Sequence, residues 1–338
     1  TQLFEHYLFN PERAYLEEIY PLIKGSVQFF MDFLVEHPNG RWLVTSPSNS
    51  PENPPEGPGY TYFFDEVTGS WYFTTICYGS SIDMQILTDL FTYYSQAAEL
   101  LGLDDAFRIK VNEARYRLVP PRIGKDGKLM EWTEDYGQME DKHRHFSHMY
   151  GLYPGNVISV KNTPRLINAC KAVLEQRGDG GTGFSRGWKM ALWARLYDGN
   201  RAVRIFKGYI AEQSYPQLFA KCYTPLQIDG TQGVAAGITE MLIQSHEGVI
   251  DLLPALPDEW SEGEYNGVCA RGGFELKKKW KDRVITSVEV LSKSGRVCRI
   301  KTGGKARVLK EGKRIQVNSH KDGSISFNTV KGGVYTLL

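Results

Sequence analysis

The 338-residue chain is 41% hydrophobic and 12% aromatic, carries 40 Lys+Arg against 39 Asp+Glu, and has a sequence pI near 7.6. That length can bury a large core, in one big domain or two. The balanced charge gives no basis for binding nucleic acid or an anionic membrane surface, and no apolar run approaches the ~20 residues that span a bilayer.

Up to about residue 247 the pattern is helical. Leu16, Ile19, Ile23, Val27, Phe30 and Leu34 recur at three- and four-residue spacing and predict a helix over 12–36. Ile82, Ile86, Leu90, Tyr94, Ala97 and Leu101 predict another over 81–101, and 104–118 reads as a shorter one stopped by Pro120 and Pro121. Thr163 and Pro164 read as a cap with proline at the first helical position, opening a helix that ends at Gly178. Segments 186–196, 200–210 and 233–245 bring the count to about seven helices. Long loops at 38–80, 119–162 and 214–232 alternate with tight links such as Gly102-Leu103 and Asp198-Gly199. A toroid of helix pairs with its site at one mouth has this alternation, since long loops on a rigid scaffold carry function. Beyond Ile250, near-alternating β-branched residues over 283–297 predict short antiparallel strands packed as a small sandwich. Turn signals at Gly303-Gly304, Gly312, Asp322-Gly323 and Gly332-Gly333 punctuate them.

The 131–154 loop holds three of the seven histidines, five carboxylates, Arg144, and the aromatics Trp132, Tyr136, Phe146, Tyr150 and Tyr153. Sugars need both kinds of surface, flat faces for their C–H groups and polar forks for their hydroxyls, so a carbohydrate-acting enzyme is the first reading. His143 and His145, with Arg144 on the other face of an extended loop, suit sugar hydroxyls. A metal site is the poorer reading, because the spacing lacks helical i, i+4 pairing and no cysteine is near; core histidines bonded to backbone are the bland one. His148 is expected to be structural. Cys77, Cys170, Cys222, Cys269 and Cys298 lie far apart and form neither a zinc motif nor a disulfide framework. No metal and no cofactor is implied. Thr1 in place of Met, with no charged-then-apolar leader, fits a processed or truncated product.

Four segments together resemble glycoside hydrolase family 95, the inverting α-L-fucosidases of terminal 1,2-linked fucose. They are 45–53 (Thr-Ser-Pro-Ser-Asn-Ser-Pro-Glu-Asn), 131–154 with His143, Arg144, His145 and His148, 183–196 around Trp188 and Trp193, and 227–230 (Gln-Ile-Asp-Gly) leading to Glu240 and 244–248. Segments 252–257 and 270–274 resemble that family's passage into a C-terminal β domain. The resemblance implies a mainly α fold. Residues 1–247 would form part of an (α/α)6 catalytic barrel lacking its first helices, and 248–338 a β-sandwich. It implies removal of terminal α-L-fucose with inversion. An α-L-galactosidase of the same family and an inactive or sugar-binding fragment are the alternatives. A fucosylated glycan and the N-terminal remainder of the same protein are the expected partners, and secretion or the periplasm the expected location.

Inverting hydrolysis needs an acid for the leaving oxygen and a base across the sugar ring, roughly 6.5–9.5 Å away. The resemblance makes Glu52 the acid, in a loop fixed by Pro51 and Pro54, with partial burial favouring its protonated form. A solvated loop carboxylate is the bland reading. It makes Asp229 the base-side residue, which in that family works with an asparagine pair that no segment here matches. Taken alone, Ile228-Asp229-Gly230 is also an ordinary turn, Asp bonding its own backbone and Gly taking positive φ. Glu131 ranks second as acid and first as sugar-hydroxyl acceptor, with Trp132, Asn53, His143, Arg144 and His145 as the other candidate sugar contacts. Thr231-Gln232 stand where the family commonly has Asn then an aromatic, and Phe184 where Trp is usual, which leaves the substrate preference open. Trp188 and Trp193 read as core; Arg186 and Lys189, near the start of that helix, read either as reaching the site or as merely solvated, the second reading preferred. Tyr60, Tyr62 and Phe63 read either as a leaving-group subsite or as loop anchors.

Overall fold

The computed structural model describes residues 1–56, 62–73, 76–138, 142–302 and 306–338. Eight α-helices occur among them: α1 (Gln2–Phe9), α2 (Arg13–Phe33), α3 (Ser81–Leu101), α4 (Asp105–Arg117), α5 (Pro164–Arg177), α6 (Gly183–Arg195), α7 (Gly199–Gly208) and α8 (Ile228–Leu242). The apolar stripes place them. In α3 the predicted face buries Leu90, Tyr94 and Ala97, and Gly102 ends the helix in the left-handed region (φ 71°), its N–H returning to Ala98 and Glu99. At α5 the expected cap differs, because the Thr163 hydroxyl bonds Ser159 rather than its own helix.

Two apolar clusters fill the helical part. One joins α1 to α4 through Phe4, Leu16, Ile19, Phe91 and Tyr94. The other joins α5 to α8 with the 119–162 loop, through Leu129, Phe146, Met149, Met190, Trp193 and Met241. Within the second, α6 and α8 approach at backbone distance. A Cβ added to Gly187 would lie 2.8 Å from the Gly233 carbonyl carbon, and one on Gly230 2.7 Å from the Phe184 nitrogen.

The β domain begins at Ile243–Gln244, ahead of residue 248. It is two sheets around Phe274, Leu276, Trp280, Val290, Ile300 and Phe327. One sheet orders its strands Lys313–Arg314, Val308–Lys310, Val334–Leu337, Val284–Ser292, Phe274–Lys281, Gly263–Ala270. The other has Asn318–Ser319, Ser324–Phe327, Cys298–Lys301, Ile250–Leu252, Ile243–Gln244. The predicted Gly303-Gly304 turn lies outside the described residues. This domain clasps α1: the Gly272 N–H donates to the Leu8 carbonyl (2.7 Å), Arg271 pairs with Glu5 (2.7 Å), and Arg296 donates to the Tyr7 hydroxyl (3.0 Å). No described helix is long and apolar enough to cross a membrane.

Candidate active site

Three pieces of chain meet at the site: the 45–56 loop, the 131–149 loop, and the paired N-termini of α6 and α8. The first is pinned to the start of α3, where Thr45 and Ser48 donate to Asp83 (2.8 and 2.7 Å). A turn closed by Asn53 N–H to Ser50 carbonyl (3.1 Å) then lifts Glu52 outward. Glu52 sits at φ 55°, a left-handed conformation costing a non-glycine residue about 1–3 kcal/mol. Its side chain is 58% exposed, not partly buried as expected.

The second piece delivers the groups that meet Glu52. Arg144 forms an ion pair with its carboxylate, and His145 Nε2 lies 3.2 Å from the same oxygen. Arg144 and His145 therefore face one group, where an extended loop would have set them on opposite faces. His143 Nδ1 accepts from the His145 N–H (3.1 Å), which leaves the proton on Nε2 to donate to the Glu52 carbonyl (2.9 Å). Burial, then His143 and Arg144, push the His145 imidazole down to about 4, so it is neutral at neutral pH.

Glu131 is the opposite of Glu52 in its surroundings. Its side chain has no exposed surface. Ser50 donates to one oxygen (2.6 Å), while Asn53 (2.8 Å) and Arg177 (3.0 Å) donate to the other, with His148 Nδ1 3.2 Å away. Burial would raise this carboxyl, but His148, Arg177 and Ser50 hold it at about 2. Removing one partner of such a buried pair costs about 3–5 kcal/mol, because the other charge is left uncompensated. Expected as a sugar-hydroxyl acceptor, Glu131 faces protein donors on both oxygens. Asn53 and Trp132, at 0% and 2% exposure, are likewise enclosed.

Asp229 lies in the first turn of α8, exposed, with Oδ1 accepting from the Gly230 N–H (2.9 Å). The Ile-Asp-Gly turn with a positive-φ glycine is not what forms: the helix starts five residues before position 233, and Gly230 is buried against α6. Gln227 accepts from the Phe184 N–H (2.9 Å), tying the two helix starts together. The Phe184 ring in turn packs beside His145 (6.0 Å between centroids). Glu52, His145, Phe184 and the Asp229 turn thus form a continuous series of contacts.

Residues 1–242 match the Glycosyl hydrolase family 95 catalytic domain, and 244–337 the Glycoside hydrolase family 95, C-terminal domain. The chain belongs to glycoside hydrolase family 95. It is 38% identical over 293 residues to Alpha-L-fucosidase 2 of Arabidopsis thaliana, covering 83% of this chain and 33% of that one. It is 28% identical over 306 residues to Probable alpha-fucosidase A of Aspergillus niger, covering 83% and 36%. This family 95 chain therefore spans about a third of the length of the curated relatives it matches. Among solved structures, a putative kojibiose phosphorylase from the human microbiome superposes with a TM-score of 0.57 at 10% identity, over 97% of this chain and 48% of that one. That likeness is one of fold: a mainly α chain forming part of an (α/α)6 barrel, followed by a small antiparallel β domain.

In this family 95 chain Arg186 and Lys189 are buried rather than solvated. Arg186 bonds Glu212 and the Gly181 carbonyl and Lys189 the Gly180 carbonyl, so both brace the 178–183 turn. Thr231, where the family commonly has Asn, accepts from the Ala220 N–H (2.9 Å) and fastens the 214–232 loop. Tyr62 and Phe63 lie on a strand paired with Ser70–Phe73, and Tyr60 lies outside the described residues. Sequence reasoning passed over Ser50 and Arg177. Ser50 is not singled out inside the Thr45–Asn53 segment, and Arg177, one cation in the last turn of α5, carries no local signal of its own. A well-formed cavity of about 480 Å³ lies away from this chemistry, between α3 and the β domain, and is lined by Asp89, Tyr93, Asn156, His246 and Arg271. The Glu52 site is identified by its chemistry, a carboxylate with Arg144 and His145 on one oxygen.

Proposed function

We propose that the protein hydrolyses the bond between a terminal α-L-fucosyl residue, 1,2-linked, and the glycan that bears it, with inversion. Glu52 acts as general acid and Asp229 on the base side. The observation that carries this reading is the contrast between two carboxylates. Of the pair contending for the acid, Glu52 reaches solvent with Arg144 and His145 on its oxygen, whereas Glu131 is sealed and held ionised. A general acid must touch the leaving oxygen, and a sealed carboxylate does not. On substrate entry Arg144 leaves Glu52 for a sugar hydroxyl, and neutral His145 supplies a donor or an acceptor to the ring. Phe184 offers an apolar face beside it. Membership of family 95 and the likeness to plant and fungal α-fucosidases support fucose as the sugar. We further propose that the fucosylated glycan is met in an exported compartment, and that the catalytic unit includes further polypeptide beyond this chain.

In the full natural protein, Glu52→Gln should lower kcat by about 10²–10⁴-fold while leaving glycan binding nearly unchanged. Wild-type turnover in that variant would remove Glu52 from the role. Proton NMR of the first sugar released decides the stereochemistry: β-L-fucose is expected, and α-L-fucose would overturn inversion.

A further inference from the structure

We infer that the buried Glu131–Arg177 pair is the positioning device of this site: it fixes the chain on both sides of Glu52 and, through the same ion pair, the loop that meets Glu52. The inference rests on the reading of Glu52 as the acid. Two independent observations carry it. The first is connectivity. Glu131 takes hydrogen bonds from Ser50, two residues before Glu52, and from Asn53, one residue after it. Arg177, bonded to Glu131, also donates to the backbone carbonyls of His143 (3.0 Å) and His145 (3.1 Å). Segments 78 to 92 residues apart in sequence are thereby registered against one buried centre.

The second is strain. Glu52 is held in the left-handed region, which persists only where flanking structure over-determines it. Its anchors are Ser50, Asn53 and the His143 bond to its carbonyl. Only Ser50 and Asn53 answer directly to Glu131. Gln at position 131 would turn an amide N–H toward donors on at least one side, so the turn and the histidine loop could no longer share the centre. The pair touches neither sugar nor solvent, so its effect on the reaction runs through where the Glu52 carboxylate stands.

Leaving groups report that placement. A good leaving group departs without protonation, whereas a sugar alkoxide needs the acid in position. Glu131→Gln in the full natural protein should lower kcat for a fucosylated disaccharide by about 100-fold, with KM changed little, because a displacement near 1 Å has that effect. The loss for an aryl α-L-fucoside with a good leaving group should be under about 10-fold. Should Glu131→Gln fail to fold, Ser50→Ala removes one donor and should show the same split, smaller. An equal loss on both substrates, or none on either, overturns the inference. Glu52→Gln measured in parallel separates the two ideas: no split in Glu52→Gln sinks the acid assignment, while a split there and none in the Glu131 and Ser50 variants sinks the positioning role alone.

Discussion

Lys278 occupies an inward position of the Phe274–Lys281 strand, on the same face as Phe274, Leu276 and Trp280, and its ammonium has no hydrogen-bond partner. Burial pushes it down to about 7, against a small opposing pull from Asp251. The sign is destabilising. Between about pH 7 and 10.5 the unfolded chain holds a proton that the folded one has released, so stability rises with pH through that window. Lys278→Met should therefore raise the melting temperature at pH 7 and flatten its rise toward pH 10; a lower melting temperature would show the ammonium is satisfied. The strand's alternation stands in its sequence, Phe-Glu-Leu-Lys-Lys-Lys-Trp-Lys, but the strand signal read from the sequence is that of 283–297, and the inward lysine shows only in the fold. The same scale shows what was not legible. Glu52 and Glu131 are both carboxylates in polar, aromatic-rich loops, and only the folded path, with Ser50 and Arg177 converging on one of them, separates the exposed acid from the sealed anion.

At the scale of elements, periodicity marks α2 and α3 most plainly, because each lays a long apolar stripe against the same cluster, while the shorter α4 to α7 are marked as much by their boundaries. It misses α1, eight residues long, which is too short for a stripe to repeat. It also starts α8 late. Ile-Asp-Gly-Thr-Gln-Gly reads as a turn, yet its glycines serve close packing: Gly230, Gly233 and Gly237 face Gly183, Gly187 and Met190 across the seam. That seam sets how far the Asp229 turn stands from Phe184. Gly187→Ala would place a methyl 2.8 Å from the α8 backbone and should cost about 1–3 kcal/mol by overpacking. It should also lower kcat more than it raises KM, because the helix carrying Asp229 is pushed outward. Denaturant unfolding and steady-state kinetics check both, and unchanged values for the pair would mean the seam is slack.

At the scale of the molecule, helical and β parts meet around His246, which burial, then Arg195, Arg271 and Lys301, push down to about 2. Arg195 comes from α6; Arg271 and Lys301 come from the β domain. The folded state thus keeps His246 neutral where the unfolded chain, at 6.5, would protonate it, and His145 at the site behaves likewise down to about 4. Stability is lost as pH falls below 6.5, by about 1.4 kcal/mol per pH unit for each such proton. Below 4.5 the Glu131 contribution, present above that value, begins to go as well. His246→Gln should flatten the dependence of melting temperature on pH between 6 and 4, and an unaltered slope would place the acid sensitivity elsewhere. The clasp on α1 also has a consequence in time. Glu5 leaves the ribosome 266 residues ahead of Arg271, an interval of roughly tens of seconds at ordinary rates of synthesis. Through that interval α1, packed on α2 and α3, has no β domain to close over its other side, and a chain stopped short of Arg271 leaves that side open to chaperones and proteases.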